Sequence, residues 1–170
     1  TAVAPARRKQ QRPRIDGDRA TVRCACPHAR MAQWVRVHTG AMKLAGIHHV
    51  AIIASDYTRS KRFYVEVLGL EIIAEAYRQA RDSWKLDLRL ADGTRVELFS
   101  FPDPPARVSR PEARGLRHLA FRVADLDQAV VHLHAHGVIT EPVRVDEYTG
   151  RRFTFFADPD DLPLELYEDA

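Results

Sequence analysis

No apolar run in this 170-residue chain approaches the roughly 20 residues that cross a bilayer, and no positively charged stretch leads into an apolar core as a secretory signal does. The expectation is a cytoplasmic protein with no membrane partner. Cysteine is scarce: there are two, Cys24 and Cys26, almost adjacent in the N-terminal stretch. They cannot staple the rest of the chain, which suits a reducing compartment. With His28 they offer two thiols and one imidazole without a second cluster, too little for a closed soft-metal site. There is no glycine-rich phosphate loop and no Ser/His/Asp or Cys/His nucleophile arrangement.

Acidic residues are nearly missing from one end. Residues 1–42 hold nine of the 26 basic residues and two of the 23 acids. The remaining 17 basic and 21 acidic residues give residues 43–170 a net charge of −4, although the whole chain carries +3. An acidic body argues against nucleic acid as a partner. Residues 1–42, rich in Ala, Arg, Pro and Gln without a sustained apolar period, are expected to be a disordered basic tail, with a short helix near Met31–Val37. Met42, just before the first expected strand, marks a candidate natural start.

From residue 43 a single domain is expected. The apolar alternation of Gly46–Ala54 predicts a strand, and Asp56 caps a helix through Leu68 that ends at Gly69. Leu70–Tyr77, Trp84–Leu90 and Thr94–Phe101 predict three more strands, the last two joined at Asp92-Gly93. Pro102–Arg114 is a proline-rich loop. Leu116–Val123 is again a strand, Asp125–Ala135 a helix ended by Gly137, and Glu141–Val145, Arg152–Ala157 and Leu162–Tyr167 are the closing strands. The fold class is therefore α+β: two tandem βαβββ units, about 46–101 and 115–168.

The duplication is legible residue by residue. Gly46, His49, Ala51 and Asp56 pair with Gly115, His118, Ala120 and Asp125 at an offset of 69. Gly69 pairs with Gly137, and Glu97 with Glu165, at an offset of 68. Each half contributes one histidine from its first strand and one glutamate from its last. Val96 and Leu98 flank Glu97, and Leu164 and Leu166 flank Glu165, so each acid points away from the core-facing side of its strand. If the first and last strands of both halves line one sheet, His49, Glu97, His118 and Glu165 converge as metal ligands on its inner face. Two imidazoles and two carboxylates suit one borderline divalent ion with room for water or substrate. His132, His134 and His136 are read instead as a solvated helix face.

On these residues, 46–168 resembles the vicinal-oxygen-chelate superfamily, whose members pair βαβββ units into a cupped mixed sheet around a metal. The four-ligand set, with Asp158-Pro159-Asp160 before the last glutamate, resembles glyoxalase I, and the stretches Arg78–Lys85, Phe99–Pro105 and Arg151–Pro159 resemble a small bacterial branch. Extradiol dioxygenases and fosfomycin-resistance members use His, His and Glu without a glutamate at the place of Glu97. Methylmalonyl-CoA epimerases typically have glutamine there, and bleomycin-binding members lack the set. One departure stands out: the usual glutathione-holding arginine and asparagine of bacterial glyoxalase I fall at Ile53 and Phe101, while Arg122 takes the pseudo-symmetric place after His118.

The resemblance implies isomerisation of the hemithioacetal of a 2-oxoaldehyde, as in methylglyoxal detoxification, to a 2-hydroxyacyl thioester. Glu165 is the expected base, Glu97 a second acid/base, and a divalent metal the Lewis acid. Nickel or cobalt is expected over zinc because the chain lacks long insertions. Arg122, Trp84 and Phe99 are the expected substrate contacts, Arg122 for an anionic group and Trp84 as the lid of a loop at Arg78–Lys85 that a solvated hairpin with Trp84 in the core would replace. Two other readings stay open: a ferrous dioxygenase with His49, His118 and Glu165 as a facial triad, and a non-catalytic module that holds a small molecule through its metal. A site within one chain and a site across a homodimer are both compatible with the sequence.

Overall fold

A computed structural model describes residues 42–169. The expected tail and its short helix lie, apart from residue 42, outside the described residues. From Gly46 the chain forms one compact unit. Its first half runs β1 (His49–Ala54), α1 (Tyr57–Arg62), β2 (Glu71–Arg78), β3 (Ser83–Arg89) and β4 (Arg95–Ser100). The second repeats this as β5 (Leu119–Val123), α2 (Leu126–Ala135), β6 (Arg144–Val145), β7 (Arg152–Ala157) and β8 (Pro163–Glu168).

Asp56 and Asp125 start the two helices, accepting from the amides of Arg59 at 3.0 Å and Gln128 at 2.9 Å. After α1 the chain widens into a π turn, Phe63–Val67, closed by Leu68 N–H donating to the Phe63 carbonyl at 3.0 Å. Gly69 and Gly137 then take left-handed backbone, at φ 72° and 74°, which reverses the chain into the next strand without a Cβ clash.

Each half is a four-stranded mixed sheet, in the orders β1-β4-β3-β2 and β5-β8-β7-β6. In both, the first strand pairs parallel with the last, and the remaining pairs are antiparallel. The expected α+β class, two tandem βαβββ units with mixed sheets, is what the structure shows, with one sheet of four strands per unit. The closing strand expected at Glu141–Val145 shrinks to Arg144–Val145: Glu141, Pro142 and Val143 lie outside the ladder, although Glu141 N–H donates to the Phe155 carbonyl at 2.7 Å.

Alternation sorts the side chains. Leu86, Leu88, Val96 and Leu98 of the first sheet, and Leu164, Leu166 and Phe156 of the second, are buried on the helix side of their sheets. Each leucine removed from water there contributes about 1.5–3 kcal/mol of hydrophobic driving force. The helix sides also join the halves. The Phe63 ring lies 6.5 Å from that of Phe156, the buried Tyr64 hydroxyl donates to Asp158 Oδ2 at 2.8 Å, and His132 Nε2 lies 2.8 Å from the Val67 carbonyl. Asp160 adds a second latch, accepting from Ser55 N–H at 3.0 Å and Arg59 Nη2 at 3.1 Å.

Candidate metal and substrate site

The faces of the two sheets away from the helices carry the site residues. In the first half, Ala51 on β1 lies beside Glu97 on β4 in the parallel ladder. His49, two residues earlier on the same face, reaches over the small alanine, with its Nε2 3.8 Å from Glu97 Oε2. Its Nδ1 lies 2.9 Å from Nδ1 of His48. The second half repeats the arrangement: Ala120 lies beside Glu165, and His118 Nε2 stands 3.0 Å from Glu165 Oε2. Each half has therefore built one imidazole–carboxylate pair from the same three positions.

The four residues do not meet. Among the described residues no group of three or more His, Cys, Asp or Glu side chains lies close enough to share one ion. The sequence allows the set to close within one chain or across a homodimer, and within this chain the two pairs lie on separate sheets. What each pair offers is still metal-ligand chemistry. Glu165 is 8% exposed, and its one ion-pair partner among the described residues is His118. A carboxylate this buried calls for a cation.

The two pairs differ in surroundings, and the repeat shows why. At the offset that links Glu97 to Glu165, Lys85 and Asp87 correspond to Phe153 and Phe155. Asp87 lies beside Glu97 in the β3–β4 ladder, and Lys85 Nζ bonds both Asp87 and, at 3.1 Å, Glu97 Oε1. Burial pulls the Lys85 ammonium down, yet its bonds to Asp87 and Glu97 prevail and hold it above its usual range. In the second half Phe155 lies beside Glu165, its ring edge-on to His118 with centroids 5.2 Å apart. Glu97 is thus held by an ammonium, whereas Glu165 sits against an aromatic wall. The alternation of Lys85 and Asp87 with Leu86 and Leu88 places both on Glu97's face, so the sequence expectation of Lys85 in a covering loop gives way to a strand residue bonded to Glu97.

The expected substrate contacts part company. Phe99 shares the face of Glu97, stacks on Phe101 and carries the Arg78 guanidinium 4.8 Å above its ring. Arg122 is tied to Asp92 at 3.5 Å and Asp169 at 3.9 Å. Trp84 lies on the opposite, helix-facing side of β3, stacked on Tyr57 at 5.2 Å between centroids, and the expected lid loop is a tight hairpin turned by Gln79–Arg81. Ile53 is 54% exposed, with no polar group to offer where a glutathione-binding arginine would stand. His132, His134 and His136 are exposed, and His136 Nδ1 bonds the His132 carbonyl at 2.8 Å.

A cleft of about 870 Å³ opens beside His118. Its walls include Phe155, the loop residues Arg107 and Arg117, and Glu141 and Arg144, the last with its guanidinium 5.4 Å from the centre of the Phe155 ring. The volume lies within the usual range for a small-molecule site. No described helix is long and apolar enough to cross a membrane.

Paired βαβββ units with a histidine–glutamate pair on each sheet define a class of small-molecule proteins built by duplication. The chain belongs to the Glyoxalase/Bleomycin resistance protein/Dioxygenase superfamily, whose model matches residues 46–166. It is 63% identical over 127 residues to an uncharacterised protein, YwkD, of Bacillus subtilis, covering 75% of this chain and 99% of that one. It is 33% identical over 141 residues to a 2-epi-5-epi-valiolone epimerase of an Actinomyces species, covering 71% of this chain and 77% of that one. Among solved structures, a glyoxalase family protein from Enterococcus faecalis matches with 50% identity and a TM-score of 0.70, over 75% of this chain and all of that one.

Proposed function

We propose that this protein is a metal-dependent isomerase of glyoxalase I type, acting in the cytoplasm on a small molecule. The observation that carries the reading is the repeated histidine–glutamate pair, one per half, at matching places in two ladders. His49, Glu97, His118 and Glu165 would together hold one divalent ion, nickel or cobalt in preference to zinc. Because the two pairs stay apart within one chain, the complete set comes from two copies: the first half of one subunit faces the second half of its partner in a homodimer.

When bound, the ion supplies Lewis acidity to the oxygens on adjacent substrate carbons. The chain's own residues do the proton work. Glu165, against Phe155 and with no ammonium beside it, takes the proton from the carbon that bears the thiol and delivers it to the neighbouring carbonyl carbon. The hydroxyl proton moves to the second oxygen, so that a hemithioacetal becomes a 2-hydroxyacyl thioester with no change in composition. Glu97, held by Lys85, serves as the second acid/base with less freedom to move.

An epimerase is the second reading. The relative that is 33% identical bears that name, and inversion at a carbon next to a carbonyl uses the same proton transfer. The test is turnover of the methylglyoxal–glutathione hemithioacetal by protein stripped of metal and then loaded separately with nickel, cobalt or zinc. Turnover restored by a metal and lowered at least about 100-fold in Glu165→Gln is the expected result. Stoichiometric metal uptake without turnover by any of the three metals would reject the glutathione-dependent glyoxalase reading.

A further inference from the structure

The cleft beside His118 has more positive charge than its own carboxylates consume. Of the four arginines on its walls, Arg144 and Arg110 share Glu141, at 2.8 Å and 3.7 Å. Arg107 and Arg117 have no carboxylate within 4.0 Å among the described residues. The remaining acids of the wall, Glu112 and Asp161, make no ion pair with either. Arg107 is held in place by Ser109 Oγ at 2.9 Å and by the carbonyls of Leu116 and Arg117. Arg117 lies 6.0 Å over the Phe155 ring and places Nη1 3.3 Å from His118 Nδ1.

A guanidinium fixed by neutral acceptors keeps its full charge for a ligand, and Arg107, with Nε and Nη2 so occupied, still offers Nη1. The aromatic wall beneath Arg117 lowers the local dielectric and strengthens any ion pair made there. The same logic recurs in the first half, where, among the described residues, Arg78 bonds only Ser83 by its side chain, at 2.8 Å, stacks over Phe99, and leaves a buried Nε without a partner.

We propose that Arg117 and Arg107 bind an oxyanion group of the substrate, a phosphate or a carboxylate, in the cleft next to His118. This inference rests on the metal-site reading for the reacting end of the molecule and assigns its charged end. The position is not the expected one: Arg122, ion-paired with two aspartates, is replaced in this role by the arginine that precedes His118.

The test is calorimetric titration of the full chain, stripped of metal so that no ion competes for the anion, with inorganic phosphate and separately with malonate in chloride buffer. One of the two binds at one per chain, and the tighter one tells phosphate from carboxylate. Arg117→Gln weakens that binding at least about tenfold, as expected for a charge-assisted pair. Arg107→Gln does the same, and Arg62→Gln on the surface of α1 leaves it unchanged. Far-UV circular dichroism establishes that each variant is folded. Binding no stronger than that of chloride, or equal binding by wild type and both cleft variants, would overturn the proposal. Nickel uptake is read on separate portions of the same preparations, reloaded with the metal. Metal uptake without anion binding rejects the cleft assignment alone, and anion binding without metal uptake rejects the parent reading alone.

Discussion

Lys85 is the residue that makes two near-identical ligand pairs chemically unequal. Its ammonium bonds Glu97 and Asp87, while the corresponding place in the second half is filled by Phe153. The pair with Glu97 is partly exposed, so its contribution is about 0.2–1 kcal/mol. A metal that takes Glu97 must displace this partner. Lys85→Met is therefore expected to tighten nickel binding by up to about fivefold, measured by competition with a chelator, and weaker binding would contradict the role assigned to Lys85. The identities of the ligand candidates were legible in the sequence, because a glutamate between two core residues must face away from the core. What Arg122 and Trp84 would do was not. Strand parity puts Arg122 on His118's face but is silent about Asp92 and Asp169, which reach it from a hairpin and the C-terminal end. Parity does send Trp84 with Leu86 and Leu88 to the helix side, where Tyr57 receives it.

At the scale of elements, the turn before β8 ties the halves together. Asp158 Oδ1 accepts the amides of Asp160 at 2.9 Å and Leu162 at 2.8 Å, and Oδ2 accepts the Tyr64 hydroxyl from the first half. Burial raises the Asp158 carboxyl above its ordinary value, against the lowering effect of the Leu162 amide, the Tyr64 hydroxyl and the Asp160 amide. The sign follows from proton linkage: a carboxyl raised on folding binds its proton more tightly in the native state, so its contribution to stability falls as pH rises through the carboxylate range. Asp158→Asn cannot ionise. Its stability relative to wild type is expected to improve from pH 3 to pH 6, measured by urea unfolding, and a gap independent of pH would refute the assignment. The strands, helices and caps around this turn followed from periodicity, Asp56 and Asp125, and Gly69 and Gly137. The π turn did not, because an i→i+5 bond at Leu68 leaves no mark in an apolar pattern already read as helix. Nor did the shortness of β6: Pro142 and its neighbours look extended, and whether extended chain joins a ladder depends on its partner.

At the scale of the whole molecule, duplication explains why the histidine–glutamate pair occurs twice, once per sheet. Two copies of one βαβββ unit yield two half-sites on two sheets, and the helix-side contacts of Phe63, Tyr64 and His132 hold the units together without bringing the half-sites into one group. The repeat and its mixed sheets could be read from the sequence, but how the two units dock could not, since that depends on side-chain contacts between their helix sides. The proposed completion of the site by a second copy is tested by subunit exchange between His49→Ala and His118→Ala. Each variant alone lacks one ligand in every site. In a mixed dimer, one site collects both lesions and the other collects none. Metal content after exchange is predicted to reach about a quarter of wild type, because about half the dimers are mixed and each has one intact site. Metal content no higher in the mixture than in either variant alone would contradict a site shared between two copies.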